Sequence, residues 1–446
     1  MSVFRHPREA GLWLEENFDA GLTVCSWWSL LANVGLAQPH WPVAWGGLGW
    51  GADEIGELSC YFAEVGAIGG PTGLGTLMGG PVILAFGSDE QKRRLLPPLA
   101  RGTEGWCQLF SEPGAGSDLA SLSTKAQRDG EEWIISGQKV WTSGAADSAR
   151  GMLITRTDHD VPKHRGMTYF IIEMRQPGIE IRPIKQMNGR SHFSEVFFNE
   201  ARVPDADRIG AVNDGWAVAT ATLGFERSGL SAPDGVPGLR PPAGELAGYL
   251  DRTIQELRSN GGPGEAGNVK VDLPDETGGL ASTLRAVAQS TGANRNPIAR
   301  QRLVGVEVTE RLASYGAQRG AAAQAAGAQP GPGASLAKLA WTQGLGRARD
   351  TGTSILGAHG MLVNDESEEP LLEEGTIEHP FFGEGSIQHR FLGEGTIQHF
   401  ALTIPSARIA GGSDEVQRNI IGERVLGLPR DPHSDAQTPF RELLRS

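Results

Sequence analysis

The spacing of apolar residues divides the chain into three textures. In "DEIGELSCYFAEVG" apolar residues recur at Ile55, Leu58, Phe62 and Val65, which predicts an amphipathic helix with Asp53 as its N-cap. Ser88 opens a second predicted helix, "SDEQKRRLLPPLARG", with Asp89 and Glu90 suited to the positive end of its dipole. Between Trp106 and Pro204 the pattern changes to short β-rich runs parted by turn signals. Asp129-Gly130 in "KAQRDGEEWIISG" predicts a hairpin, and "GMLITRT", "MTYFIIEM", "IEIRPI" and "EVFFNEARVP" predict further strands. From Asp214 the helical period returns, in "GWAVATATLGFERSGL", "ELAGYLDRTIQELR", "ARQRLVGVEVTERLASYGA" and "SLAKLAWTQGLGRARDTGTSIL". The expected architecture is therefore mainly α with a central β domain. Residues 1–105 form an N-terminal helical domain, 106–205 a middle β domain and 206–446 a C-terminal helical bundle.

Two segments interrupt this plan as expected loop insertions, 260–279 and 366–404. The first, "NGGPGEAGNVKVDLPDETGG", is rich in Gly and Pro and charged. The second holds three near-copies of a decapeptide, "LLEEGTIEHPFFGEGSIQHRFLGEGTIQHF". A period of ten is even, so His379, His389 and His399 share one face of an extended chain, whereas a helix rotates each copy by about 80°. The Gly-Glu-Gly triplets at 383–385 and 393–395 also oppose a helix. The histidine spacing matches no zinc pattern, and no metal site is expected.

Composition narrows the function. Over 446 residues the chain is 39% hydrophobic with a net charge of −13 and 62 glycines, an acidic, loop-rich globular protein. That charge disfavours nucleic acid and anionic membrane as partners. Basic runs at Gln91–Arg101 and Arg295–Arg302 read first as solvated helix faces. Cys25, Cys60 and Cys107 are an odd, widely spaced set that suits reduced thiols. There is no run of about 18 apolar residues and no charged leader followed by an apolar stretch, so a cytoplasmic protein with no membrane span is expected.

The chemistry concentrates in "WCQLFSEPGAGSDLASLSTKAQRDGEEWIISGQKVWTSGA", Trp106 to Ala145. Its glycine-rich turn lets backbone N–H groups approach a phosphate or flat ring, but it lacks the Lys-Ser/Thr of a P-loop and opens no dinucleotide fingerprint helix. Together with "SGQKVWTSG", "QMNGRSHFSEVFFNEARVP", "GWAVATATLGFERSG", "GPGASLAKLA" and "IAGGSDEVQRNIIGERVLGLPR", it resembles the acyl-CoA dehydrogenase family over nearly the whole chain. The resemblance implies a middle β-barrel, a C-terminal four-helix bundle and FAD held on the β domain. Phe110 and Ser111 then lie beside the isoalloxazine, with Gln108 and Gly116 among the cofactor contacts. Trp141 packs on the ring with Thr142 next to it, and Ser143 lies at the N5 edge. Ser117 sits close to the acyl-CoA, and Ser413 and Glu415 near a neighbouring subunit's FAD. Implied partners are an acyl-CoA substrate, an electron-transferring flavoprotein and further subunits in a homo- or hetero-oligomer, dimer or tetramer.

The family reaction removes the α hydrogen of an acyl-CoA as a proton and the β hydrogen as hydride to flavin N5. Hydrogen bonds polarise the thioester carbonyl, and the base is a carboxylate in a dry pocket. Many members carry that base in a Tyr-Glu-Gly-Thr motif before the last bundle helix. Here that helix is expected from Ser413 as N-cap, with Val416, Ile420 and Val425 as its apolar stripe, and the register puts Gly411 where the Glu belongs. Glu374, Glu384 and Glu394 each precede Gly-Thr or Gly-Ser, yet lie too far from this helix in register. A minority of the family carries the base on an earlier helix before an Arg, and "GFERSG" matches: Glu226 is the expected base, between Leu223, Phe225 and Leu230, with Arg227 in the substrate pocket. A surface Glu-Arg pair is the bland reading of the same residues. Ala288–Thr291 do not reproduce the family's Arg-x-x-Phe element, and Ala358 replaces a glycine of its later Gly-rich turn. The expected function is FAD-dependent α,β-dehydrogenation of an acyl-CoA. The alternatives are a non-catalytic partner subunit of a heteromer, or a flavin oxidase or monooxygenase of the same fold.

Overall fold

A computed structural model describes residues 4–189, 191–229, 243–259, 279–325, 333–358, 376–377, 389–390, 394–429 and 437–443. The first domain is built from α1 (Pro7–Asn17), α2 (Val24–Val34), α3 (Ala52–Val65), α4 (Gly80–Phe86) and α5 (Asp89–Ala100). Tryptophans fill its centre: Trp27 and Trp28 are buried, and their indole N–H groups donate to the carbonyls of Ile68 (2.7 Å) and Gly69 (2.9 Å). Ser88 caps α5 as expected, accepting from Gln91 N at 3.2 Å. α3 starts one residue before the expected cap. Gly51 is its N-cap and donates its N–H to Glu54 Oε2 (3.0 Å), so Asp53 lies in the first turn.

The β domain comprises β1 (Trp106–Leu109), β2 (Lys125–Asp129), β3 (Glu132–Ser143), β4 (Arg150–Arg156), β5 (Met167–Glu173), β6 (Ile179–Ile184), β7 (Phe193–Pro204) and β8 (Arg208–Ile209). They form one sheet in the order β6-β7-β3-β2-β4-β5-β8, with β1 added parallel to β4. The Asp129-Gly130 signal is the β2–β3 hairpin, with Gly130 at φ 62°. Trp133, Ile135, Leu153, Phe170, Ile172, Val196 and Phe198 point to one interior around which the sheet curls. Met152, Ile154, Tyr169 and Ile171 point the other way, into the core shared with the first domain. Both faces of β4 and β5 are thus covered, which is why their sequences are nearly continuous apolar runs.

α6 (Gly215–Gly229) lies against β5, and α7 (Ile254–Ser259) packs Ile254 and Leu257 into the first domain's core. The bundle core gathers Leu284 from α8 (Leu280–Ser290), Val306 from α9 (Pro297–Ala325), Leu345 and Ile355 from α10 (Gly333–Leu356), and Ile397, Phe400 and Ile404 from α11 (Glu394–Ala407). The fold is mainly α with a central β domain, and among the described residues the bundle core is drawn from α8, α9, α10 and α11. The segment expected as a loop over 366–404 differs at its end: the third decapeptide opens α11. Ile397, Phe400, Ile404 and Ala407 are spaced for one helical face and buried, which outweighs the cost of Gly395 in the first turn. Of the earlier copies, β9 (Thr376–Ile377) pairs antiparallel with β10 (His389–Arg390), and the rest lies outside the described residues. The expected loop 260–279 lies outside them as well, apart from Gly279.

α12 (Asp414–Arg424) follows, capped by Ser413 as expected. Its buried face is not the expected apolar stripe. Val425 is exposed and Val416 and Ile420 are half-buried, whereas Asp414 and Gln417 are buried. The reason is polar: Asp414 accepts from Thr342 Oγ1 (2.7 Å) and Arg408 Nε (2.8 Å), and Lys338 Nζ lies 3.7 Å away.

Candidate active site

The parallel pairing of β1 with β4 carries the chain to Phe110 and Ser111 at the sheet's end. Val140 N donates to Ser111 O (2.9 Å) and Lys139 Nζ to Phe110 O (3.0 Å), which fastens the start of the glycine-rich turn to the end of β3. Lys139 is fully buried and pairs with Glu112 at 2.9 Å. That carboxylate also accepts from Ser123 N (2.7 Å), Ser123 Oγ (2.9 Å) and Thr124 N (2.9 Å). Burial alone raises the Glu112 carboxyl. The Lys139 ammonium and these hydrogen bonds outweigh it and hold the group at about 2.

At the end of β3 a register shift between Lys139 and Thr142 turns Trp141 outward, at φ 62° and 58% exposed. A bulky residue in the left-handed region costs on the order of 1–3 kcal/mol, so the fold spends stability to present this ring at the surface. Thr142 is fully buried, and among the described residues its Oγ1 has no hydrogen-bond partner. Ser143 is half-buried, and Gly116 and Ser117 are exposed. A Cβ on Gly114 or Gly116 would meet no atom within 4 Å, so the turn has an open face. The outward indole of Trp141, the half-buried Ser143 and the open glycine turn offer a surface that suits a flat ring bearing polar edges, as the isoalloxazine of FAD is.

Gln108 and Glu226 come together behind this turn, with Gln108 Nε2 donating to Glu226 Oε2 at 3.5 Å. Glu226 is half-buried on α6, and its neighbours Leu223 and Phe225 pack on the core. Phe110 meets Tyr169 edge-on (ring centroids 5.9 Å apart), and Thr222 Oγ1 of α6 donates to the Tyr169 hydroxyl at 3.4 Å. Arg227 continues α6, but its side chain lies outside the described residues.

The structure thus joins Gln108 to Glu226, and joins Phe110 and Ser111 to the end of β3 that leads into Trp141, Thr142 and Ser143. It does not bring Ser413 or Glu415 to them. Ser413 Oγ accepts from Val416 N (3.3 Å), and the exposed Glu415 pairs with Arg418 (3.1 Å). Neither bonds to a β-domain residue among the described residues. Gly411 has φ 66°, a conformation that penalises a glutamate at this position. The side chains of Glu374, Glu384 and Glu394, and of the three repeat histidines, lie outside the described residues. The buried Glu112–Lys139 pair is a feature that motif reading passed over. Counting by two along β3 from the inward Trp133 and Ile135 reaches Lys139, a lysine in the apolar phase.

Three family models match: "Acyl-CoA dehydrogenase, N-terminal domain" over residues 6–103, "middle domain" over 107–201 and "C-terminal domain" over 280–426. The acyl-CoA dehydrogenase IpdE1 of Mycobacterium tuberculosis is 35% identical over 411 residues, which are 91% of this chain and 88% of that protein. Mitochondrial isovaleryl-CoA dehydrogenase of Pongo abelii is 31% identical over 234 residues, 52% of this chain and 53% of that one. Among solved structures, the steroid ACAD Tcur3481-Tcur3483 superposes with a TM-score of 0.65 at 24% identity, covering 95% of this chain and 97% of that one. The ChsE4-ChsE5 complex from Mycobacterium tuberculosis gives a TM-score of 0.62 at 23% identity, covering 97% of this chain and 100% of that one. The two structural likenesses carry the fold, and the sequence relatives carry the chemistry: this chain belongs to the acyl-CoA dehydrogenase family, FAD flavoproteins that oxidise acyl-CoA thioesters.

Proposed function

We propose that this chain catalyses α,β-dehydrogenation of an acyl-CoA with Glu226 as the base. The observation that supports it is the approach of Glu226 to Gln108, on the strand that leads into the cofactor turn, while the family's other base position is a glycine at left-handed φ. Glu226 takes the α proton as the Cα–H bond breaks; the β hydrogen leaves as hydride, and a Cα=Cβ double bond forms. The chemistry FAD supplies when bound is acceptance of that hydride at N5. Gln108, Phe110, Ser111, Gly116, Ser117, Trp141, Thr142 and Ser143 would hold the cofactor and acyl-CoA, the exposed Trp141 offering its ring as a packing face. Arg227 lines the acyl pocket.

Ser413 and Glu415 serve a neighbouring subunit's FAD, which requires at least a dimer. The exposed apolar residues of α9 and the end of α12 support such an assembly. An electron-transferring flavoprotein would be the electron acceptor. A cytoplasmic location is in keeping with three free cysteines.

Anaerobic titration of the purified protein with a panel of acyl-CoAs, followed by flavin absorbance, tests this reading. Bleaching by one class of acyl-CoA is the expected result. Glu226→Gln should still bind the same acyl-CoA but reduce flavin on the order of 10²–10⁴-fold more slowly. Reduction at the normal rate in that variant rules out Glu226. Flavin acquired only with a co-expressed partner identifies a partner subunit instead, and rapid reoxidation by dioxygen an oxidase.

A further inference from the structure

The C-terminal segment 437–443 returns to the β domain and docks on the loop 157–166. Phe440 N donates to Val161 O (3.0 Å), Arg441 N to His159 O (3.0 Å), and Pro439 bridges Pro162. Arg441 pairs with Asp160 at 2.9 Å. Beneath the loop lies Arg156, fully buried and, among the described residues, without a carboxylate partner. Its NH1 donates to Lys163 O (2.6 Å) and its NH2 to Ala120 O (2.6 Å) and Leu122 O (3.3 Å), while Nε has no partner among the described residues. The Phe440 ring covers the guanidinium, with its centroid 4.0 Å from Cζ. A buried cation is costly unless something compensates it. Here three carbonyls and one aromatic face do so, together with the nearby charges of Glu112, Asp158 and Asp118, and the face comes from the C-terminal segment.

Two of the three carbonyls that Arg156 holds, those of Ala120 and Leu122, belong to the chain immediately after the glycine-rich turn. Lys163 of the same loop pairs with Asp118 at the end of that turn (2.9 Å). Ser123 and Thr124, next in the chain, donate their N–H groups to Glu112 inside it. A continuous path of direct contacts therefore runs from Phe440 through Arg156 to Ala120–Leu122, and on to Glu112.

We propose that residues 437–443 act as a C-terminal clasp, with Phe440 and Arg156 as positioning residues that hold the turn 111–118 in its ligand-receiving shape. This rests on the reading of that turn as a cofactor and acyl-CoA element. The clasp touches neither ligand. It acts by capping Arg156, whose hydrogen bonds fix the far end of the turn.

The test compares the flavin-loaded full chain with Phe440→Ala and with Phe440→Tyr, which keeps the aromatic face. Hydrogen exchange at Ser123 and Thr124 should accelerate about tenfold in Phe440→Ala, with exchange in the bundle helices unchanged. The acyl-CoA dissociation constant, from flavin absorbance, should rise about tenfold in the same variant. Phe440→Tyr should behave as the unsubstituted protein in both. The clasp is refuted if faster exchange stays confined to 157–166 and 437–443, or if acyl-CoA affinity does not change. Failure of the underlying reading shows separately: in the unsubstituted protein, acyl-CoA would then leave the exchange of Ser123 and Thr124 unaltered.

Discussion

At the scale of single residues, the site depends on a charge pair that does no chemistry. Lys139 and Glu112 are buried together, and between them they satisfy Phe110 O, Ser123 N and Thr124 N. Removing one partner strands the other charge, so Lys139→Met should cost about 3–5 kcal/mol in urea unfolding. Lys139→Met combined with Glu112→Leu should recover part of that loss. If the double variant is less stable than the single one, the pair is not the origin of the cost. The same pair sets an acid limit. Glu112 drops from an ordinary 4.5 to about 2 on folding, so its contribution is complete above about pH 4.5 and is lost as pH falls toward 2. That interval corresponds to about 3 kcal/mol. Urea midpoints of unsubstituted protein should fall over this range, and those of the double variant should fall less.

At the scale of elements, legibility followed periodicity. β2 to β7 were visible because their alternation and turns are local, and α5 because Ser88 and Gln91 cap it within four residues. α12 was visible as a helix but not for its buried face. Asp414 is buried because Lys338 and Thr342 of α10 and Arg408 after α11 approach it, a tertiary fact absent from an eleven-residue window, while Gln417 turns inward to donate to the carbonyls of Gly411 and Gly412. The third decapeptide was the harder case. Its first two copies argue for extended chain, but "TIQHFALTIPSA" supplies four apolar residues on one helical face that only a bundle can bury. Ile397 is 1% exposed, so Ile397→Ala should cost about 2–5 kcal/mol of bundle stability. The equivalent change in an earlier copy, Ile387→Ala, is the comparison. Equal, small losses at both positions would show that the third copy contributes no more to the core than the second.

At the scale of the whole molecule, α9 carries an unmet requirement. Val304, Val308, Leu312 and Tyr315 lie on one face over about 17 Å of helix and are 47–64% exposed. Single exposed apolar residues are ordinary, whereas a row of four on a long helix is the composition of a contact surface. Val425, Leu426 and Leu428 add exposed apolar groups at the end of α12, the helix that carries Ser413 and Glu415. An assembly that covers these residues would bury the row, and on the proposed role of Ser413 and Glu415 it would bring α12 toward a neighbour's cofactor, so subunit contact and flavin retention should fail together. Leu312→Glu tests the link, because Leu312 is outside the bundle core and its replacement should change the stability of the isolated chain by no more than about 0.5 kcal/mol. The expected outcome is a lower mass by sedimentation and faster flavin loss on dilution, with helical content unchanged. An unchanged mass would remove α9 from the interface. A lower mass with flavin fully retained would show that each chain holds its cofactor without Ser413 and Glu415 of a neighbour.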